Sequence, residues 1–310
     1  MARLLHVAAF LRQQRAQGRA DATLRNHHRA LTRLDSHLQT LNGTTSETVT
    51  PFQLADFVCA LQLAPDHRNQ HTSALRVYFR WLCETGLRED NPAAHLRYCA
   101  APAKPVESLT PEEVRALLTF ARKPHPRFGT ARTSCLVLFL VETGLRLGEA
   151  LSLRLPDLDL IENQVHVTAT KTNSLRLLPI SADLRQCLLA YLRERRAHFA
   201  SHHLPDAGWL WPAEHGAEWT VTQAERGCKT VARNAGLTRR FHPHLLRHTF
   251  ATLSLLNGAP LSAVMQLGGW KKLATVQRYT RMSTEQLRQV AADSSPLAGA
   301  SRLRYVIPED

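Results

Sequence analysis

The sequence predicts a mainly α protein in two parts: an amino-terminal bundle of four helices, then a larger mixed α+β domain with one small antiparallel sheet. Three observations lead there. Across residues 2–96 apolar residues recur at helical spacing, and no stretch alternates as a half-buried strand would. Residues 97–108 (RYCAAPAKPVES) carry two prolines and small residues without apolar period, the composition of a linker. Within residues 156–180, Val165-His166-Val167-Thr168 and Leu175-Arg176-Leu177-Leu178 have strand composition on either side of Lys171-Thr172-Asn173, which predicts a hairpin. The expected boundaries are a helical domain over 1–96, the linker over 97–108, a second domain over 109–292 and a tail over 293–310.

In chain order, residues 4–17 form an amphipathic helix with Leu5, Ala8, Ala9 and Leu11 expected toward a core. Asp21 is expected to cap a longer helix through Leu41, with Leu24, Leu31, Leu34 and Leu38 at helical spacing, stopped by Asn42-Gly43. Thr50-Pro51 starts a third helix through Leu61, and residues 68–85 make a fourth, ended by Gly86. Arg25, Arg29 and Arg33, at four-residue steps, form one basic stripe. Such a stripe is either a solvated face or a track for a phosphate backbone. Thr110-Pro111-Glu112-Glu113 is a capping box that opens the second domain. Residues 133–143 form an apolar helix ended by Gly144, residues 181–200 a helix with a basic end (Arg193, Arg195, Arg196), and residues 220–235 another. The loop-rich stretch between these last two holds Trp209 and Trp211, expected as core or loop anchors. Glu285 to Ala292 reads as a last short helix.

Composition narrows the partner. The 310-residue chain carries a formal net charge of +13, pointing to a polyanion. Of 39 basic residues only six are lysines, so a lysine at a meaningful position is informative. The six cysteines are scattered with no C-x-x-C, and neither His27-His28 nor His202-His203 forms a zinc pattern, so no metal site is expected. No signal peptide and no run of eighteen apolar residues is present, which leads us to expect a cytoplasmic, reduced protein with no membrane partner.

The segment from His242 to Met282 concentrates anion chemistry. His244 and Arg247 are one helical turn apart and project from one side. An apolar run follows, stopped at Asn257-Gly258; Pro260 opens a second short helix ending at Gly268-Gly269, directly before Trp270. Tyr279 comes nine residues later, between Arg278 and Arg281. A guanidinium holds two phosphate oxygens, an imidazole moves a proton and a phenol can be a nucleophile, a set suited to attack on a phosphodiester.

The order H-x-L-R-H-T-F-A-T, then L-G-G-W, then Q-R-Y-T closely resembles the carboxy-terminal half of the tyrosine recombinases, the family of phage integrases, Xer proteins and Cre. Thr143-Gly144-Leu145-Arg146-Leu147-Gly148-Glu149 resembles the first half of the same signature, 101 residues earlier when counted between Arg146 and Arg247. The amino-terminal part is similar in layout, a SAM-like core-binding domain, and in fragments such as residues 75–82 and Asn91-Pro92. The resemblance implies a catalytic domain of the tyrosine recombinase type. It implies Arg146 and Arg247 as phosphate clamps, Tyr279 as nucleophile, His244 as the acceptor or orienter of its proton, and Trp270 as a non-titrating partner where most relatives have histidine. Glu149 either holds a neighbouring catalytic group or is a first-turn carboxylate favoured by the helix dipole. Lys171, Arg176 and Pro179 fall in step with the family's hairpin pattern, with Lys171 matching the catalytic lysine, although both glycines of that pattern are threonines here (Thr170, Thr172) and its second lysine is Ser174. His248 is expected to be structural. Arg25, Arg29, Arg33, Arg76 and Arg80 are candidate DNA contacts.

The implied activity is site-specific recombination through a covalent 3′-phosphotyrosine and a Holliday junction, by four protomers on two duplex sites. No metal, ATP or other cofactor is implied, and no P-loop or carboxylate cluster occurs in the sequence. A second recombinase or an accessory DNA-bound protein is a possible further partner. Competing readings are a type IB topoisomerase and a non-catalytic DNA-binding protein retaining the fold.

Overall fold

The computed structural model describes residues 4–41, 43–100, 107–125, 127–169, 174–277 and 279. Lys171, the expected helix from Glu285 to Ala292 and the tail over 293–310 lie outside the described residues. The chain divides into two compact units, Met1–Lys104 and Pro105–Asp310.

The first unit is all helical: α1 (Val7–Ala16), α2 (Asp21–Thr40), α3 (Pro51–Ala60) and α4 (Pro65–Glu84). Its core is built from the predicted face of α2 (Leu31, Leu34, Leu38, with Leu24 also buried) against Leu75, Tyr78, Phe79 and Leu82 of α4 and Leu54 of α3. Truncating any one of these large apolar side chains to alanine is expected to cost about 2–5 kcal/mol. Thr50, expected to start the third helix, closes a capping box with Gln53.

Three local expectations need correction. On α1 the buried residues are Phe10 and Gln14, while Ala8 is exposed. The helix begins three residues later than periodicity suggests, and Phe10, packed edge-on against Tyr78 at 5.4 Å, brings far more apolar surface to the core than an alanine can. The N-cap of α2 is Ala20, and Asp21 lies in the first turn, where the helix dipole still favours it. The fourth helix starts at Pro65, because a proline at the first helical position lacks only an N–H that would have no helical partner.

The second unit comprises α5 (Pro111–Ala121), α6 (Phe128–Thr143), α7 (Leu147–Leu151), a 3-10 turn (Leu155–Asp157), β1 (Leu158–Asp159), β2 (Gln164–Ala169), β3 (Ser174–Pro179), α8 (Ala182–Ser201), α9 (Val221–Asn234), α10 (Pro243–Leu256), α11 (Leu261–Gly268) and α12 (Leu273–Gln277). Helix α6 is buried along almost its whole length, as its apolar sequence demands, with α5, α8, α9 and α10 packed around it. The sheet is antiparallel in the order β1-β2-β3, with Val167 opposite Arg176. Its first strand, two residues long, is too short to leave a periodic signal. Trp211 is a core anchor stacked on Tyr191 at 5.1 Å, and Trp209 lies beneath the Arg154 guanidinium. The basic end of α8 is not uniformly solvated. Arg195 is buried and donates to both carboxylate oxygens of Asp206. Among the described residues no helix is long and apolar enough to cross a membrane.

Candidate active site

The site is assembled where α6 ends and α10 passes it. Gly144 terminates α6 at φ 62°, and the ring of Phe250 lies so close that a Cβ at this position would collide with it. The turn leaves the Gly144 carbonyl free to accept from Arg247 Nη1. Two residues on, Arg146 is the N-cap of α7. Glu149 accepts from the Arg146 backbone N–H at 3.0 Å and from its Nη1 at 2.8 Å. The two roles offered for Glu149 therefore coexist: it caps the helix, and it orients the Arg146 guanidinium.

A third guanidinium reaches the same carboxylate. Arg176 sits on β3 at an inward-facing position, beside Leu178 in the strand's alternation, with Leu175 and Leu177 outward and exposed. Its Nη2 lies 3.6 Å from Glu149 Oε2. Its Nη1 packs against the backbone of Gly269, where any Cβ would overlap it. Burial works to raise the Glu149 pKa, but the bonds from Arg146 and the charges of Arg146 and Arg176 outweigh it and hold the carboxyl below its ordinary value.

Helix α10 opens with His242 as N-cap, its Nδ1 accepting from the Leu245 N–H at 3.1 Å, and Pro243 at the first position. Arg247 is 5% exposed, and its guanidinium lies 3.9 Å from the centre of the Trp270 ring. Burial, and then the neighbouring Arg146, push its pKa down to about 10, so it stays charged at neutral pH. Its Nη2 is buried without a hydrogen-bond partner, as is Arg176 Nε. Donors in this condition are costly unless an anion completes them. Trp270 is set by the left-handed turn at Gly269 (φ 67°) and by its backbone N–H bonding to the Met265 carbonyl at 2.9 Å. Tyr279 follows α12, its backbone N–H bonded to Val276 at 2.8 Å and its ring 5.9 Å from that of Trp270.

Five of the expected residues are thus brought together: Arg146, Glu149, Arg247, Trp270 and Tyr279. Lys171 lies outside the described residues, and His244 occupies an exposed position on α10. His248, expected to be structural, has its Nδ1 2.6 Å from the Tyr279 hydroxyl. Residues four apart on a helix are about 40° apart in phase, so His248 shares the side of His244. Arg176 is marked in the sequence by falling in step, together with Lys171 and Pro179, with the family's hairpin pattern, but its pairing with Glu149 is not legible there. An open groove in this unit is lined by Lys229, Arg233, Arg239 and Arg240, whose only signal in the sequence is the positive charges themselves. The candidate contacts Arg25, Arg29, Arg33 and Arg80 are exposed in the first unit, whereas Arg76 is half-buried with its guanidinium 5.5 Å from the Tyr98 ring.

Chemically, the arrangement is suited to a tetrahedral anion: Arg146 and Arg247 lie near each other, Arg176 stands behind the Glu149 carboxylate that also holds Arg146, and a phenol is hydrogen-bonded to an imidazole. Among the described residues no group of three or more His, Cys, Asp or Glu side chains is placed to hold a metal ion.

Comparison with known proteins places the chain. Residues 107–286 match the phage integrase family, and residues 7–86 match the phage integrase N-terminal SAM-like domain. The chain is 31% identical over 307 residues to the tyrosine recombinase XerD of Brucella melitensis, covering 95% of this chain and 98% of that protein. It is 34% identical over 226 residues to the tyrosine recombinase XerC of Alcanivorax borkumensis, covering 73% and 72%. In fold it is similar to the XerH site-specific recombinase bound to palindromic difH substrate in a post-cleavage complex, with a TM-score of 0.71, 21% identity and coverage of 87% and 79%. It is likewise similar to a lambda integrase dimer bound to a core site, with a TM-score of 0.66, 16% identity and coverage of 89% and 97%. The protein is thus an enzyme of DNA strand breakage and rejoining. It belongs to the phage integrase family, the tyrosine recombinases.

Proposed function

We propose that the protein is a site-specific recombinase that cleaves each DNA strand through a covalent 3′-phosphotyrosine on Tyr279 and exchanges strands by way of a Holliday junction. The observation that carries this reading is the convergence of Arg146, Arg247 and Trp270 beside Tyr279, with a buried Arg247 donor that lacks a partner. In this reading Arg146 and Arg247 neutralise the non-bridging oxygens of the scissile phosphate, and their preorganisation lowers the barrier as negative charge builds there. Trp270 backs the Arg247 guanidinium and confines Tyr279, offering one N–H and no titration. The phenol passes its proton to an imidazole of α10, and its oxygen attacks phosphorus. Lys171 protonates the departing 5′ oxygen. Because the ester is exchanged rather than hydrolysed, the 5′ hydroxyl can reverse the step without ATP.

The partner is duplex DNA carrying specific sites, bound by four protomers in the synaptic complex, with a second recombinase or an accessory DNA-bound protein as a possible addition. The DNA-bound state of the XerH and lambda integrase complexes supports the duplex partner, and so do the basic stripe of α2 and the groove lined by Lys229, Arg233, Arg239 and Arg240. Such a protein would work in the cytoplasm on the nucleoid.

The test uses a nicked duplex bearing the candidate site, which traps the covalent step by losing the short strand. Wild type and Tyr279→Phe are compared on a denaturing gel in EDTA without ATP. An adduct with wild type alone is expected. Tight, salt-sensitive binding with no adduct on any duplex would leave a DNA-binding protein with a recombinase fold. A two-site assay then separates recombination from relaxation.

A further inference from the structure

We propose that His248, rather than His244, accepts the phenolic proton of Tyr279 in cleavage and returns it in rejoining; this deepens the proposed function and rests on Tyr279 being the nucleophile. The two side chains are already joined, with His248 Nδ1 2.6 Å from the Tyr279 hydroxyl and the rings 5.5 Å apart at 44°. This is within the reach required of a general base in the resting site. With the imidazole neutral and its own proton on Nε2, Nδ1 is the acceptor and the phenol donates.

The surroundings fix the pair. Trp270 borders Tyr279, and the backbone bond to Val276 holds the tyrosine's main chain. His248 follows the buried Arg247 directly on α10, so base and phosphate clamp share one rigid helical turn. His244, on the preceding turn and exposed, is left to donate to a phosphate oxygen.

The step balances. The O–H bond of Tyr279 breaks as an N–H bond forms at His248 Nδ1, and the phenolic oxygen bonds to phosphorus. The bond from phosphorus to the 5′ oxygen breaks, and that oxygen takes a proton from Lys171. His248 is then an imidazolium beside a phosphodiester anion. In rejoining the 5′ hydroxyl attacks, the phenolate leaves, and His248 gives its proton back.

The experiment measures single-turnover adduct formation on the nicked duplex for wild type, His248→Ala, His248→Gln and His244→Ala. DNA affinity and Tm are measured alongside, and each reaction is repeated with added imidazole. His248→Ala is expected to slow adduct formation by about a hundredfold, the lower end of the range for general base catalysis, with DNA affinity within about twofold. Added imidazole should restore a measurable part of that rate. His248→Gln should stay slow, because an amide keeps a hydrogen bond to the phenol but cannot take its proton; it also serves as the folded comparison if the alanine variant is unstable. The proposal is overturned if either His248 variant cleaves within about twofold of wild type, or if imidazole rescues His244→Ala and not His248→Ala. Failure of the underlying function looks different: no adduct with wild type, or an adduct persisting in Tyr279→Phe.

Discussion

Glu149 lies between two guanidiniums, with Arg146 Nη1 2.8 Å from one carboxylate oxygen and Arg176 Nη2 3.6 Å from the other. Arg176 thus contacts the same carboxylate that positions Arg146. Arg176→Ala should lower adduct formation by about tenfold, with a stability loss of about 1 kcal/mol for a 3.6 Å pair that is still partly screened by solvent. Arg176→Lys should recover part of the activity, since it restores the charge without the planar fork. Single-turnover cleavage and thermal melts check both; equal rates in all three proteins would refute the coupling.

Gly269 has two reasons to be glycine: a backbone at φ 67° and the Arg176 guanidinium lying across it. Gly269→Ala should cost about 1–3 kcal/mol from the strained conformation, and it should displace Arg176 as well. A melting shift accompanied by no change in cleavage rate would show the second effect to be absent.

Glu149 also predicts a pH response. Its folded carboxyl titrates below its unfolded value, so its contribution to stability is fully present above about pH 5, where the unfolded group is ionised. The contribution disappears as the pH falls through the folded value. The stability gap between wild type and Glu149→Gln should therefore be widest at neutral pH and close below about pH 4. Chemical denaturation at several pH values measures it.

The unpartnered Arg247 Nη2 predicts stabilisation by tetrahedral anions. Orthovanadate or sulfate at about 100 times its Kd should raise stability by about 2.7 kcal/mol, read as a Tm shift. Arg247→Ala should abolish the shift. An equal shift in that variant would locate the anion elsewhere.

If Arg25, Arg29 and Arg33 follow a phosphate backbone, replacing all three with alanine should weaken binding to any duplex, whatever its sequence. The slope of log K against log salt should become shallower by about 0.9 for each phosphate no longer neutralised. An unchanged slope would return the stripe to a solvated face.

Much of this is legible in the residues. Period and caps locate the helices, because Thr50, Thr110 and Thr220 close their capping boxes locally and the leucines of α2 leave no other inward side. Arg146, Arg247 and Tyr279 are legible because their motifs combine a chemical type with a glycine break at fixed spacing. What escapes is set by pairings far apart in sequence. Nothing near Arg176 announces Glu149, 27 residues upstream by number, or the glycine it covers. The pairing of His248 with Tyr279 spans a similar distance, so helical phase alone does not reveal it. Phe10 displaces Ala8 from the core because packing weighs volume as well as periodicity.

The contact between Gly144 and Phe250 gives these observations a combinatorial consequence. The glycine admits that ring only because it has no side chain, and the ring occupies the space that any side chain there would need. The two halves of the signature therefore behave as lock and key. In a library of chimeras built with related recombinases, a crossover between residues 144 and 250 is tolerated when both parents carry the same pair. Where one parent brings a bulkier residue at the first position, that junction should drop out of the surviving clones, while crossovers on either side persist.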